Sequence, residues 1–173
     1  MNVRTTERTA MNHEPAFTLI ELVLVMALLV AAVSVSAPML SSFFRGRALD
    51  SEARRLLALT HAGQSRAVSE GAPMLLWVDA AQRAYGLERE SAARNGDPKA
   101  ENFTMAEYVQ LQAAAAQPVS VDGRSLPAIR FLPDGSIDES SPSALRLAGA
   151  DGSSLWLVEA ANHLSYAIQT SIQ

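Results

Sequence analysis

Hydrophobic and polar residues fall into three regimes along the chain, and each predicts a different element. Residues 1–16, MNVRTTERTAMNHEPA, are polar and show no periodicity. From Phe17 to Leu40, FTLIELVLVMALLVAAVSVSAPML, the only charged residue is Glu21. A helix needs about 20 apolar residues to cross the hydrocarbon layer, and this run is long enough. Beyond Pro38 the pattern becomes amphipathic. Phe44, Leu49, Ala53, Leu56, Leu57, Thr60, Ala67 and Val68 follow the 3.6-residue repeat and predict a core-facing stripe. Arg45, Arg47, Asp50, Glu52, Arg54, Arg55, Gln64, Arg66 and Glu70 occupy the other faces. Gly71-Ala72-Pro73 supplies the stop, glycine as a left-handed cap and proline as a residue that cannot continue the helix. Read continuously from Phe17 to Glu70, the helix would reach about 80 Å at 1.5 Å per residue. That is too long to lie buried in a small domain, so its first half belongs in lipid or among partner helices.

After Gly71 the punctuation changes: seven of the nine glycines and six of the eight prolines lie from there onward. Short β-prone runs are predicted at Met74–Val78, Ala84–Arg89, Phe103–Leu111, Val119–Val121, Ala128–Leu132, Ala144–Leu147, Ser154–Val158 and Leu164–Gln169. Asn95-Gly96-Asp97-Pro98, Asp122-Gly123, Pro133-Asp134-Gly135 and Asp151-Gly152 separate them as turns that need positive φ. The pattern predicts an α+β fold: a long N-terminal helix whose second half packs on a small antiparallel sheet domain or sandwich. Four segments follow: a leader over 1–16, a hydrophobic helix over 17–40, its amphipathic continuation over 41–71 and a β-rich head over 72–173.

Composition removes several classes of function. The net charge of −4 and the lack of a basic stripe argue against a nucleic-acid partner. No cysteine is present, which excludes a disulfide framework, a thiol nucleophile and a cysteine-based metal knuckle. His13, His61 and His163 are scattered without ligand spacing, and no Gly-x-Ser-x-Gly elbow occurs. Asp134 and Asp138 lack the further ligands of a calcium loop and read as polar turns. Trp77 and Trp156 read as core or sheet-face residues. No metal, cofactor or catalytic group is expected, and the chain reads as a non-enzyme.

Glu21 is the anomaly. A carboxylate in an apolar span costs about 2.5–3.5 kcal/mol if placed near the bilayer centre. A cut between Ala16 and Phe17 would create an α-amine one helical turn away, and the amine of a staggered second copy could also reach the carboxylate. In a low-dielectric setting such a pair would set the register of helices assembling side by side. A headgroup-level carboxylate that escapes to water is the alternative. An ordinary secretory signal peptide, cut after Ala32-Val33-Ser34, is another reading of the apolar run, and it would belong to an exported binding module or enzyme.

The stretch Ala16-Phe17-Thr18-Leu19-Ile20-Glu21-Leu22 closely resembles the prepilin leader motif of type IV pilins and type II secretion pseudopilins. The resemblance implies cleavage by a prepilin peptidase between Ala16 and Phe17 and N-methylation of Phe17. It also implies an assembly role for Glu21 and a helix bend at Pro38. The family usually has glycine where this chain has Ala16. The segments around Arg54-Arg55-Leu56-Leu57 and Ser65–Gly71, with Ile129–Ser136 in the head, resemble the GspH/FimT group of minor subunits. The implied function is that of a minor pseudopilin of a type II secretion system, or alternatively a minor type IV pilin for pilus assembly, adhesion or DNA uptake. The implied partners are sister pseudopilins or pilins, with a single-pass inner-membrane anchor and a periplasmic head. Basic residues counted alone, Arg4 and Arg8 before the span against Arg45, Arg47, Arg54 and Arg55 after it, favour the opposite orientation. The expected localisation therefore rests on the leader motif.

Overall fold

The computed structural model describes residues 18–90, 96–114 and 116–171; the side chains of 35–45 also lie outside the described residues. Among the described residues there is one helix, α1 (Leu19–Glu70), followed by nine strands. The chain divides into two units, Met1–Leu40 and Ser41–Gln173.

In the first unit Thr18 precedes the helix and its hydroxyl accepts the Glu21 amide at 3.3 Å, the N-cap arrangement that satisfies an otherwise orphaned donor. The apolar side chains that follow are exposed on every side of the helix, from Leu19 at 80% to Val33 at 62%. Among the described residues no helix is long and apolar enough to cross a membrane. The expected span, 17–40, extends beyond the described side chains at both ends.

The second unit is built on the amphipathic part of α1. Leu49, Ala53, Leu56, Thr60 and Ala67 are buried, as the periodicity predicts, while Phe44 lies outside the described side chains. Two positions depart from that stripe. Val68 is 54% exposed, although it neighbours the buried Ala67. Glu52, expected on the polar side, is buried, because a partner reaches it from the head. Gly71 ends the helix at φ +60°, where a side chain would be strained.

The head consists of two antiparallel sheets. The first has the order β3-β2-β1-β6-β5, from β1 (Met74–Asp79), β2 (Ala84–Arg89), β3 (Glu101–Thr104), β5 (Pro118–Val121) and β6 (Arg124–Phe131). The second has the order β4-β7-β8-β9, from β4 (Val109–Ala113), β7 (Ala144–Gly149), β8 (Ser154–Glu159) and β9 (Tyr166–Gln169). Every residue of β1 is buried, and the near-continuous apolar run MLLWV suits a strand covered on both faces. Met74, Leu76 and Val78 join the α1 stripe and the inward residues of the second sheet, Leu111, Leu145, Leu147 and Leu157, in the main core. Leu75 and Trp77 form a second cluster with Val121, Leu126 and Ala128 on the opposite face.

Two expected strands are corrected. Phe103–Leu111 is not one strand: the chain passes from one sheet to the other at Met105–Tyr108, so β3 and β4 lie in different layers. β6 begins at Arg124, ahead of the expected Ala128, because its first half pairs with β5 and its second half with β1. Pro127, which has no N–H to donate, sits at that handover.

Candidate functional site

Among the described residues no cluster of His, Cys, Asp or Glu could hold a metal ion. The sequence-predicted site residues lie on or before α1, and side chains on α1 also tie it to the head. Glu21 occupies the third helical position behind Thr18, so that Thr18-Leu19-Ile20-Glu21 has the spacing of a capping box. The first turn also places the carboxylate beside the positive end of the helix dipole, where it is favourable by about 0.3–1 kcal/mol. Sequence reasoning took Glu21 as an anomaly in an apolar run and missed this local role, although Thr18 three residues earlier was its signal. Ala16 and Phe17 lie outside the described residues. Pro38 lies within α1 and its side chain is outside the described residues as well.

Three groups fasten α1 to the sheets. Near the start of the second unit, Tyr85 on β2 donates its hydroxyl to the buried Glu52 carboxylate at 2.6 Å. Burial, followed by the Glu52 charge, pushes the Tyr85 phenol above its usual range, so it stays a donor. Arg55 is farther from Glu52, at 3.4 Å, and half-exposed. A hydrogen bond to a charged group is worth about 1.5–3 kcal/mol and an exposed ion pair under about 1, so Tyr85 is the stronger hold. Phe103 stacks on Tyr85 with centroids 5.5 Å apart and carries the Arg55 guanidinium at 5.4 Å.

Midway, Gln64 donates its amide to two distant carbonyls, Gly135 O at 2.6 Å and Leu164 O at 2.8 Å. Beside it Gly63 lies against Phe131, close enough that an added Cβ would stand 2.7 Å from that ring.

At the C-terminal end Glu70 gathers Arg89, Lys99 (3.1 Å) and Arg66 (3.2 Å), while Arg66 also binds Asp97 at 2.7 Å. Arg89, then Lys99 and Arg66, hold the Glu70 carboxyl down at about 2. Because its folded value is depressed, Glu70 contributes stability that is fully present above about pH 4.5 and is lost as pH falls towards 2. A Glu70→Gln chain is expected to be less stable at pH 7 and to lose less stability between pH 4.5 and 2 than the wild type. Denaturant unfolding followed by tryptophan fluorescence at a series of pH values measures this. An unchanged acid dependence would remove Glu70 from the account.

The family model of type II transport protein GspH matches residues 52–169, which is more than half of the chain. The chain belongs to this family. The matched region starts at the buried Glu52 and ends at the last residue of β9, so it takes in the fastened part of α1 and all nine strands. Among solved structures, the minor pseudopilin EpsH from the type 2 secretion system of Vibrio cholerae is similar at 15% identity. The match covers 70% of this chain and 93% of that one, with a TM-score of 0.49. No individual curated protein matches the chain. Membership in the GspH family agrees with the resemblance carried by Arg54–Leu57 and Ile129–Ser136.

Proposed function

We propose that the chain is a minor pseudopilin of a type II protein secretion system, which works by assembling through α1 with sister pseudopilins into a periplasmic pseudopilus. Membership in the GspH family carries this reading. A physical observation supports it: among the described residues the large apolar side chains between Leu19 and Val33 are all exposed, from 42% at Val25 to 80% at Leu19. Each such side chain gains about 1.5–3 kcal/mol when removed from water. Lipid before assembly and neighbouring helices after it would both provide that cover.

In this reading a prepilin peptidase removes residues 1–16, Phe17 becomes the methylated N-terminus, and residues 17–40 form a single-pass inner-membrane anchor with the head in the periplasm. Pro38 bends the anchor helix. The new amine at Phe17 would stand at the positive end of the helix dipole, where a cation is unfavourable. Glu21, one turn on, offsets that charge and offers the counter-charge that a neighbouring subunit's amine needs in lipid. Ala16, small like the usual glycine, keeps the peptide before the cut accessible.

Mass spectrometry of membrane-extracted protein tests the reading at its first step. The mature chain is expected to begin with N-methylated Phe17. A start at Val35 would mean that an ordinary signal peptidase had acted, and the filament reading would fail.

A further inference from the structure

Among the described residues three buried side-chain nitrogens lack a hydrogen-bond partner: Trp77 Nε1, Arg89 Nε and Arg146 Nε. The first lies in the second apolar cluster, and Arg89 has Glu70 at its terminal nitrogen. Arg146 has neither an acid nor a hydrogen-bond acceptor at any of its nitrogens among the described residues. The other described arginines of the head are matched: Arg89, Arg124 and Arg130 to carboxylates, Arg83 to the Ala106 carbonyl. Arg146 is instead laid over the Trp156 ring, 5.5 Å from its centroid.

The register of the second sheet shows what surrounds it. Gln112 pairs with Arg146, Arg146 with Trp156, and Trp156 with Gln169, one residue from each of the four strands in a single row. Strand alternation puts this row on the face away from the core, since Leu145, Leu147 and Leu157 point inward. Arg146 and Trp156 are half-buried and the two flanking glutamines are exposed. One adjoining row on that face carries Gln110, Ala148 and Ser154, and the other Ala144, Val158 and Ala167. No outward position on the four strands carries an acid. The face thus presents a half-buried cation, its Nε shut off from water, over an aromatic ring, with the Gln112 and Gln169 carboxamides in the same row.

We infer that this outward face is a docking surface for the head of a sister subunit, with a partner carboxylate seated on Arg146 between Gln112 and Gln169. This deepens the pseudopilin reading and rests on it. The argument is one of charge complementarity. A guanidinium whose Nε is already shut off from water has lost hydration without gaining a counter-ion, and a carboxylate can complete it with paired N–H donation. Its place over the Trp156 ring restrains the guanidinium in advance, which lowers the ordering cost of binding. The carboxamides donate to the same acid or accept from the partner backbone, and arginine with tryptophan is the pair most enriched where interfaces hold tightest.

The test uses the full chain in cells that assemble the filament, with a photo-crosslinking benzoylphenylalanine placed at Gln112 or Gln169. Both positions are expected to give an adduct with the same sister subunit, through a peptide that contains Asp or Glu. Arg146→Gln is expected to lower the adduct yield about tenfold or more, and Arg146→Lys to restore part of it, by keeping charge and losing the fork. Gln112→Glu, read with the crosslinker at Gln169, places an acid beside Arg146 within the same chain. It is expected to make the head more resistant to protease and to lower the yield in the same way. That variant decides the matter if Arg146→Gln proves protease-sensitive. Yields unmoved by Arg146→Gln and Gln112→Glu, or adduct peptides without an acid, would overturn the docking surface. So would the absence of adducts from a chain that is present in sheared filaments. A chain absent from filaments altogether would instead remove the pseudopilin reading, and the docking surface with it.

Discussion

Glu21→Leu is expected to leave the chain processed and present in the inner membrane at a normal or higher level, while its content in sheared filaments falls on the order of a hundredfold. Two contributions of Glu21 have to be separated. Loss of the third-position carboxylate from the helix start costs about 0.3–1 kcal/mol, and the backbone cap survives because Thr18 binds the Glu21 amide, not its side chain. Loss of a counter-charge from an amine buried among helices costs about 3–5 kcal/mol, of which the lower end corresponds to about a hundredfold. The second term decides the outcome. Removal of the carboxylate favours insertion, so a fall in membrane content is not expected. Glu21→Gln keeps the size and loses the charge, and should assemble as poorly as leucine. Leader cleavage is measured in parallel on each variant. Normal filament content of processed Glu21→Leu would leave only the cap, and the counter-charge role would be gone.

Phe131→Ala is expected to destabilise the head by about 3–5 kcal/mol, a large part of the 5–15 kcal/mol typical of a folded domain. The ring is 1% exposed and rests against the helix at Gly63, where no Cβ can stand. The same contact makes a second result expected, opposite to helix propensity. Alanine favours a helix over glycine by about 0.8–1.0 kcal/mol, but overpacking costs about 1–3. Gly63→Ala is therefore expected to destabilise, and Phe131→Leu to relieve it in the double variant, so that the two effects do not add. Trp77 and Trp156 both lie in the head, so tryptophan fluorescence of the detergent-extracted chain in denaturant reports on it. A stabilised Gly63→Ala chain would show that helix and ring have room to part.

Much of this architecture is legible before any coordinates. The stripe of Leu49, Ala53, Leu56 and Ala67 has a regular period because one helix face meets one core, and Ala84–Arg89 is a strand between clear turn signals. The turns at Gly96, Gly123, Gly135 and Gly152 all have positive φ, as residues of that type in those places require. What stayed hidden depends on partners remote in sequence. Glu52 sits among charged neighbours that mark a solvated face, and its strongest partner, Tyr85, lies 33 residues away. Phe103–Leu111 is β-prone throughout, and nothing local records that it changes sheets. The Arg146–Trp156 row needs four strands in register before it exists. The proposed cleavage at Ala16 and Phe17 is the converse case: it rests on a short motif alone, and both residues lie outside the described ones.

The order of the strands has a further consequence, one of time. β4 is complete at Ala113, but its hydrogen-bonding neighbour β7 does not begin until Ala144. At about 5–20 residues per second the emerging chain carries an unpaired β4 for roughly a few seconds. During that interval Val109 and Leu111 have no sheet to enter, and a bare apolar strand is an invitation to other chains. Gln110 and Gln112 alternate with them and keep one side of the waiting strand wet. By this account the two glutamines guard the nascent chain first, and Gln112 turns to a partner only after β7 has arrived.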